Sequence, residues 1–237
     1  ADRPPPSPEP SVIHFIPMDF RPSEEQDLLR RTVRDFAESE IAPHVSEWDE
    51  AQQFSTDLLP KLAALGLAGV QFPEEYGGAA LSAVDYCICI EELARVCPAV
   101  ALSVAAHNGL CSAHISAFGT VDQKKKFLPR LVRGEVWGAW GLTEAGAGSD
   151  AAGMRTTATR QGECWVINGA KTFITHGRIG GVMVVIAVTD RTKGHRGISA
   201  FIVEQGTPGM SAGKKENKLG MRASDTSEVI FQECRVP

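Results

Sequence analysis

The apolar residues change their period once along this chain, near Gly134, and do not change back. Before that point the spacing is helical. After it the runs are short, rich in β-branched residues, and alternating or continuous, as strands are. Helices gathered first and strands second argue for two separate layers or domains and against a doubly wound βαβ fold. The predicted class is therefore α+β and multidomain, with an all-α helical domain over 19–135 and an all-β domain over 136–237. Ala1–Pro10 is rich in proline and lacks the apolar segment of a secretory signal, and residues 1–18 read as a disordered leader.

Three capping boxes set helix starts. Ser23-x-x-Gln26 opens a helix with Leu28, Leu29, Val33, Phe36 and Ala37 at helical spacing to about Ile41, where Pro43 is expected to end it. A second helix runs from about Asp57 to Gly66. Ser82-x-x-Asp85 opens a third, to about Val96. Pro98 starts a fourth, to about Phe118; it is apolar nearly all round and so belongs at the centre of a bundle. Thr120-x-x-Gln123 caps a fifth, ending near Gly134. Strands are predicted over 137–142, 154–160, 182–189, 198–204 and 228–232. Cys164–Ile167 and Lys171–Thr175 flank Asn168-Gly169, a dipeptide suited to a type I′ hairpin turn.

Composition removes several functions. The net charge is -5 and the basic residues are scattered, so no basic stripe offers a nucleic-acid surface. Lys124, Lys125 and Lys126 read as a solvated helix face. No apolar run reaches the length of a membrane span; the nearest, 99–118, is broken by His107, Asn108 and His114. The six cysteines form no C-x-x-C pair and read as small hydrophobes of a reducing compartment, not as a disulfide framework or zinc site. His107 and His114 read as core or capping residues rather than metal ligands.

The stretch with chemical content is Trp140 to Gly153, WGLTEAGAGSDAAG. It is a strand end running into a glycine-rich turn. Gly146 and Gly148 allow close backbone approach by a ligand. Thr143 and Ser149 carry hydroxyls, and exposed N–H groups in such a turn suit a phosphate or a carbonyl-rich ring. By itself the pattern also fits a plain surface loop. There is no G-x-G-x-x-G after a strand, so a Rossmann site is not indicated.

Residues 141–153 resemble the flavin-binding signature of acyl-CoA dehydrogenases, short- or branched-chain in flavour. Further stretches agree in order: Phe72-Pro73-Glu74-Glu75-Tyr76-Gly77-Gly78, Ile167 to Thr175, Thr207-Pro208-Gly209-Met210, Lys218-Leu219-Gly220-Met221-Arg222, and Val229 to Pro237. The resemblance covers roughly 19–237. It implies a helical N-terminal domain and a barrel-like β domain, and it leaves the family's C-terminal four-helix domain absent from this chain.

The resemblance also implies FAD as cofactor. Trp140, Gly141, Leu142, Thr143, Gly148 and Ser149 would line it, Ser149 also lying close to the acyl-CoA. Phe173, Ile174 and Thr175 would cover the opposite ring face, with the Thr175 hydroxyl near flavin N5. Phe173 stands where many members have Trp, and Ala145 where Pro is usual. The implied reaction is α,β-dehydrogenation of a saturated acyl-CoA to the 2,3-enoyl-CoA, with an electron-transfer flavoprotein as acceptor. A homo-oligomer, in the bacterial cytoplasm or the mitochondrial matrix, is expected when the protein is full length.

No catalytic base is assigned within the chain; it is expected beyond Pro237, so the chain alone is expected to bind flavin weakly and to be inactive. Glu144 is expected to hydrogen-bond locally, Glu74 and Glu75 to serve loop structure, and His176 to be a plain turn residue. Two other readings stand beside this one: a flavin oxidase or monooxygenase of the same fold, and a non-catalytic interaction module.

Overall fold

The computed structural model describes residues 20–53 and 55–237. The predicted leader lies outside the described residues. All three capping boxes form. Ser23 Oγ accepts from the Gln26 N–H while Gln26 Oε1 accepts from the Ser23 N–H, and Ser82/Asp85 and Thr120/Gln123 repeat the arrangement. They fix the starts of α1 (Glu24–Phe36), α4 (Ala83–Val96) and α7 (Val121–Val132), which with α2 (Val45–Ala51), α3 (Leu58–Ala64), α5 (Pro98–Ala105) and α6 (Ala113–Phe118) build the first half.

Pro43 does not end the first helical run. A π-helical stretch, Ala37–Ile41, passes into a 3-10 turn, Ala42–His44, and then into α2. Pro43 sits in the first turn of that new segment, where its missing N–H would have had no partner, and the wider π turn absorbs the change of register. A second π-helical stretch, Ala106–Ser112, joins α5 to α6, so the predicted fourth helix is continuous in outline. It is central as expected: Val100, Val104, His107, Cys111 and Ile115 are buried, while Leu102, Leu110 and Phe118 emerge.

Among the described residues seven strands join one curled sheet: β1 (Trp137–Gly141), β2 (Thr157–Gln161), β3 (Cys164–Thr175), β4 (Gly180–Val188), β5 (Ile198–Glu204), β6 (Met210–Lys215) and β7 (Thr226–Val236). The order is β1-β4-β2-β3-β7-β6, with β5 on the other edge of β4; β1 and β4 are parallel and β3 and β7 antiparallel. The predicted helix-then-sheet class holds.

The Asn168-Gly169 hairpin does not form. Those residues lie inside the single twelve-residue strand β3, at a register shift against β7. Asn168 is spent on a two-way contact with Glu233, its Oδ1 accepting from the Glu233 N–H at 2.8 Å and its Nδ2 donating to Glu233 Oε1 at 2.8 Å. Gly169 is needed for space: a Cβ there would stand 2.7 Å from Thr156 Cα. The turn falls instead at Gly162, φ 65°, between paired Gln161 and Cys164. β2 begins three residues later than predicted, β7 is longer, and β6 was not foreseen; its exposed, lysine-bearing sequence lacks the apolar alternation that marks a strand.

β4 has apolar contacts on both faces, which explains its continuous apolar run. Met183, Val185 and Ala187 face the sheet's interior with Ile167, Val229 and Phe231, whereas Val182, Val184 and Ile186 pack on Ile115, Leu128 and Leu131 of α6 and α7. The cysteines are all free, four of them buried; Cys87 is exposed, against expectation.

Candidate cofactor site

Gly138, in the middle of β1, is held from both sides by histidines. Its N–H donates to His107 Nδ1 at 2.9 Å, and its carbonyl accepts from His176 Nδ1 at 2.9 Å. His107 Nε2 in turn lies 3.2 Å from the Ala68 carbonyl. These contacts make His107 an Nε2–H and His176 an Nδ1–H tautomer, both neutral. Burial lowers the pKa of His107 to about 3, with the neighbouring His176 adding to the effect, and burial lowers His176 to about 4. His176 is thus not a plain turn residue. Its φ of 61° swings the ring inward onto Trp137, with centroids 4.5 Å apart. The seam between the two domains is fixed here.

β1 then delivers the chain into the glycine-rich loop. Loop and β3 are tied at successive residues: the Thr172 N–H donates to the Thr143 carbonyl at 2.8 Å, and Lys171 Nζ donates to the Leu142 carbonyl at 3.0 Å. Glu144 closes the loop's neck, accepting from Lys171 Nζ at 2.7 Å and from the Arg155 and Thr156 N–H groups at 2.6 and 2.9 Å. Burial alone would raise the Glu144 pKa, but the lysine and the N–H donors outweigh it and hold the carboxyl at about 2. Burial lowers the pKa of Lys171, and Glu144 opposes that shift. Glu144 therefore has the local hydrogen-bonding role expected of it.

The predicted site residues do not all face one space; Trp140 and Thr175 are both half-buried. Leu142, Thr143 and the start of the loop come against Lys171, Thr172 and so Phe173, from the far strand. Gly148 and Ser149 are exposed on the loop. A Cβ at Gly146 or Gly148 would meet nothing, so an open cradle stands before the loop's backbone. Gly141 is buried, and the space a Cβ would need is taken by the Lys171 stem at 3.3 Å. Ile174 turns its side chain into the β core, leaving only its main chain to face a ligand.

Phe173 does the opposite. At a register shift in β3 it adopts φ 58° and presents a ring that is 64% exposed. Such a backbone is strained for an aromatic residue and marks a place where the side chain is wanted outside. Trp140 Nε1 and Thr172 Oγ1 are buried with no hydrogen-bond partner among the described residues. An open cradle and an outward aromatic fit a planar cofactor such as a flavin. Sequence reasoning did not single out Lys171, Thr172 or the His107–His176 clamp. The one available signal was a lysine at a core-facing position of an apolar strand.

A helical half latched to a curled sheet, with a pinned glycine-rich loop at the seam, defines an α+β scaffold. The chain belongs to the acyl-CoA dehydrogenase family: the family's N-terminal domain profile matches residues 23–135 and its middle domain profile residues 139–234. It is 46% identical over 220 residues to the short-chain-specific acyl-CoA dehydrogenase of Clostridium acetobutylicum, covering 93% of this chain and 58% of that protein. Its fold matches butyryl-CoA dehydrogenase from Megasphaera elsdenii with a TM-score of 0.89 at 42% identity, again over 93% of this chain and 58% of the other. It also matches a glutaryl-CoA dehydrogenase from Mycobacterium smegmatis in complex with FADH2, with a TM-score of 0.86 at 35% identity, over 91% and 54%. The chain thus spans a little over half the length of these relatives.

Proposed function

We propose that this chain is the flavin-holding part of an FAD-dependent acyl-CoA dehydrogenase that converts a saturated short-chain acyl-CoA to its 2,3-enoyl thioester. The observation that carries the reading is the loop 142–149 pinned against β3 beside the outward ring of Phe173. The complex of a 35%-identical relative with FADH2 supports the choice of cofactor. Bound there, the flavin supplies hydride acceptance from the substrate β-carbon. The chain supplies binding and orientation: Thr143 and Thr175 present hydroxyls to the ring edge, Trp140 and Phe173 provide apolar walls, and Ser149 lies where the cofactor's phosphates and the thioester's CoA would pass.

Glu144, Glu74, Glu75 and His176 are poorly suited to proton abstraction. Glu144 is saturated by a lysine and two N–H donors and stays ionised, so it has no tendency to take a proton near neutrality. His176 is enclosed and neutral. Glu74 and Glu75 lie in a 3-10 turn, as the loop-structural reading expected. The base is left to a segment beyond Pro237, as the family resemblance implies.

Among the described residues no helix is long and apolar enough to cross a membrane, and all six cysteines are free. The free thiols support a reducing compartment, bacterial cytoplasm or mitochondrial matrix. An electron-transfer flavoprotein as acceptor and a homo-oligomeric assembly complete the proposal. The test is anaerobic titration of the purified whole protein with butyryl-CoA. Bleaching of a bound flavin, with slow recovery in oxygen, is the expected result. A colourless protein that takes up no FAD contradicts the reading, and fast reoxidation by oxygen would assign an oxidase instead.

A further inference from the structure

We infer that Lys171 is a positioning residue for the cofactor: through the Leu142 carbonyl and Glu144 it sets where the glycine-rich loop stands. The inference rests on the proposed flavin site.

Lys171 is fully enclosed, a setting in which a lysine needs a strong reason to persist. Its ammonium makes two contacts, Glu144 Oε1 at 2.7 Å and the Leu142 carbonyl at 3.0 Å. Glu144 passes the constraint on to the Arg155 and Thr156 N–H groups, at the far end of the loop. One side chain thereby holds the entry of the loop and, through its partner, the exit. Between these points residues 145, 146, 148, 149 and 150 are exposed, and Ala147 is buried.

Within the loop, the Glu144 N–H donates to the Ala147 carbonyl at 2.9 Å and the Ala147 N–H returns to the Glu144 carbonyl at 3.1 Å. The tight turn that follows therefore moves as a unit with Glu144. The Lys171 stem also fills the space that Gly141 leaves open, so strand β1 is cleared for this side chain. A purely stabilising role would be served as well by an apolar residue of similar shape. The lysine adds a donor aimed at the one carbonyl that precedes Thr143.

The test uses the whole protein and two variants, Lys171→Met and Lys171→Met/Glu144→Gln. The single variant leaves a half-buried carboxylate without its cation and should lower the unfolding midpoint. The double variant is neutral at the pair and keeps an oxygen for the Arg155 and Thr156 N–H groups, so its midpoint should return close to wild type. It still lacks the donor to Leu142. The expected result is that its FAD dissociation constant stays raised by about tenfold to a hundredfold, the cost of a misplaced binding group, while amides 142–148 exchange faster in the cofactor-free protein. If affinity returns together with stability in the double variant, or never falls in the single one, the positioning role is overturned. A wild-type protein that binds no FAD would instead overturn the functional reading beneath it.

Discussion

Glu92 in the helical domain and Glu144 in the β domain are both shielded carboxylates, and their partners differ in kind. Glu92 is surrounded by three arginines: Arg34 through two hydrogen bonds at 2.8 and 2.9 Å, Arg95 at 3.2 Å and Arg30 at 3.8 Å. Each guanidinium reaches water, so each can be lost while the others remain. Glu144 has a single cation, Lys171, which is itself fully buried. The helical domain thus holds its charge redundantly, whereas the β domain stakes the geometry of one loop on one pair. Redundancy suits a packing element, and a single enclosed contact suits a place where position matters.

The comparison breaks most readily at the lysine. Lys171→Met is expected to cost about 3 kcal/mol, the low end of the range for stripping a buried charge of its partner, because Glu144 is only partly buried and keeps two N–H donors; denaturant unfolding reads it. Arg34→Met should cost clearly less, because Arg95 and Arg30 stay on Glu92. Equal losses would show that the two sites are not built differently.

The seam between the domains gives the second test. His107 and His176 are neutral in the fold, with pKa values of about 3 and 4, and ordinary when unfolded. Below the unfolded value of roughly 6.5 the unfolded chain binds more protons than the folded one, so stability is full above that pH and falls as the pH drops towards 4. A loss of about 2–4 kcal/mol between pH 6.5 and pH 5 is expected for the pair. Replacing His107 by Gln should flatten that slope. An unchanged slope would mean that the clamp does not carry the acid sensitivity.

Smaller effects separate Gly162, in the turn between β2 and β3, from Gly169 inside β3. Gly169→Ala drives a Cβ against Thr156 and should cost about 1–3 kcal/mol, as overpacking does. Gly162→Ala meets open space and pays only for its left-handed backbone, about 1 kcal/mol. The reverse order would restore the hairpin at Asn168-Gly169.

That pair also shows where legibility ended. Ser23, Ser82 and Thr120 announced helix starts because capping is local: the acceptor, the N–H and the returning side chain lie within four residues. The glycine-rich loop was legible by resemblance. Asn168-Gly169 misled because Asn168 answers to Glu233 and Gly169 to Thr156, residues far away in sequence. Pro43 misled because a π turn ahead of it took up the register. Lys171, His107 and His176 act through partners 27 to 38 residues distant, which no short-range pattern displays.

The central claim is that a flavin seats between the loop after β1 and the end of β3. Hydrogen exchange of the whole protein with and without saturating FAD tests it most directly. The account predicts slowed exchange in 142–149 and 172–176 and little change in α1 to α3. Saturable binding that protects neither segment, or protection confined to another groove such as that lined by Phe127, Trp165 and Phe201, would contradict it.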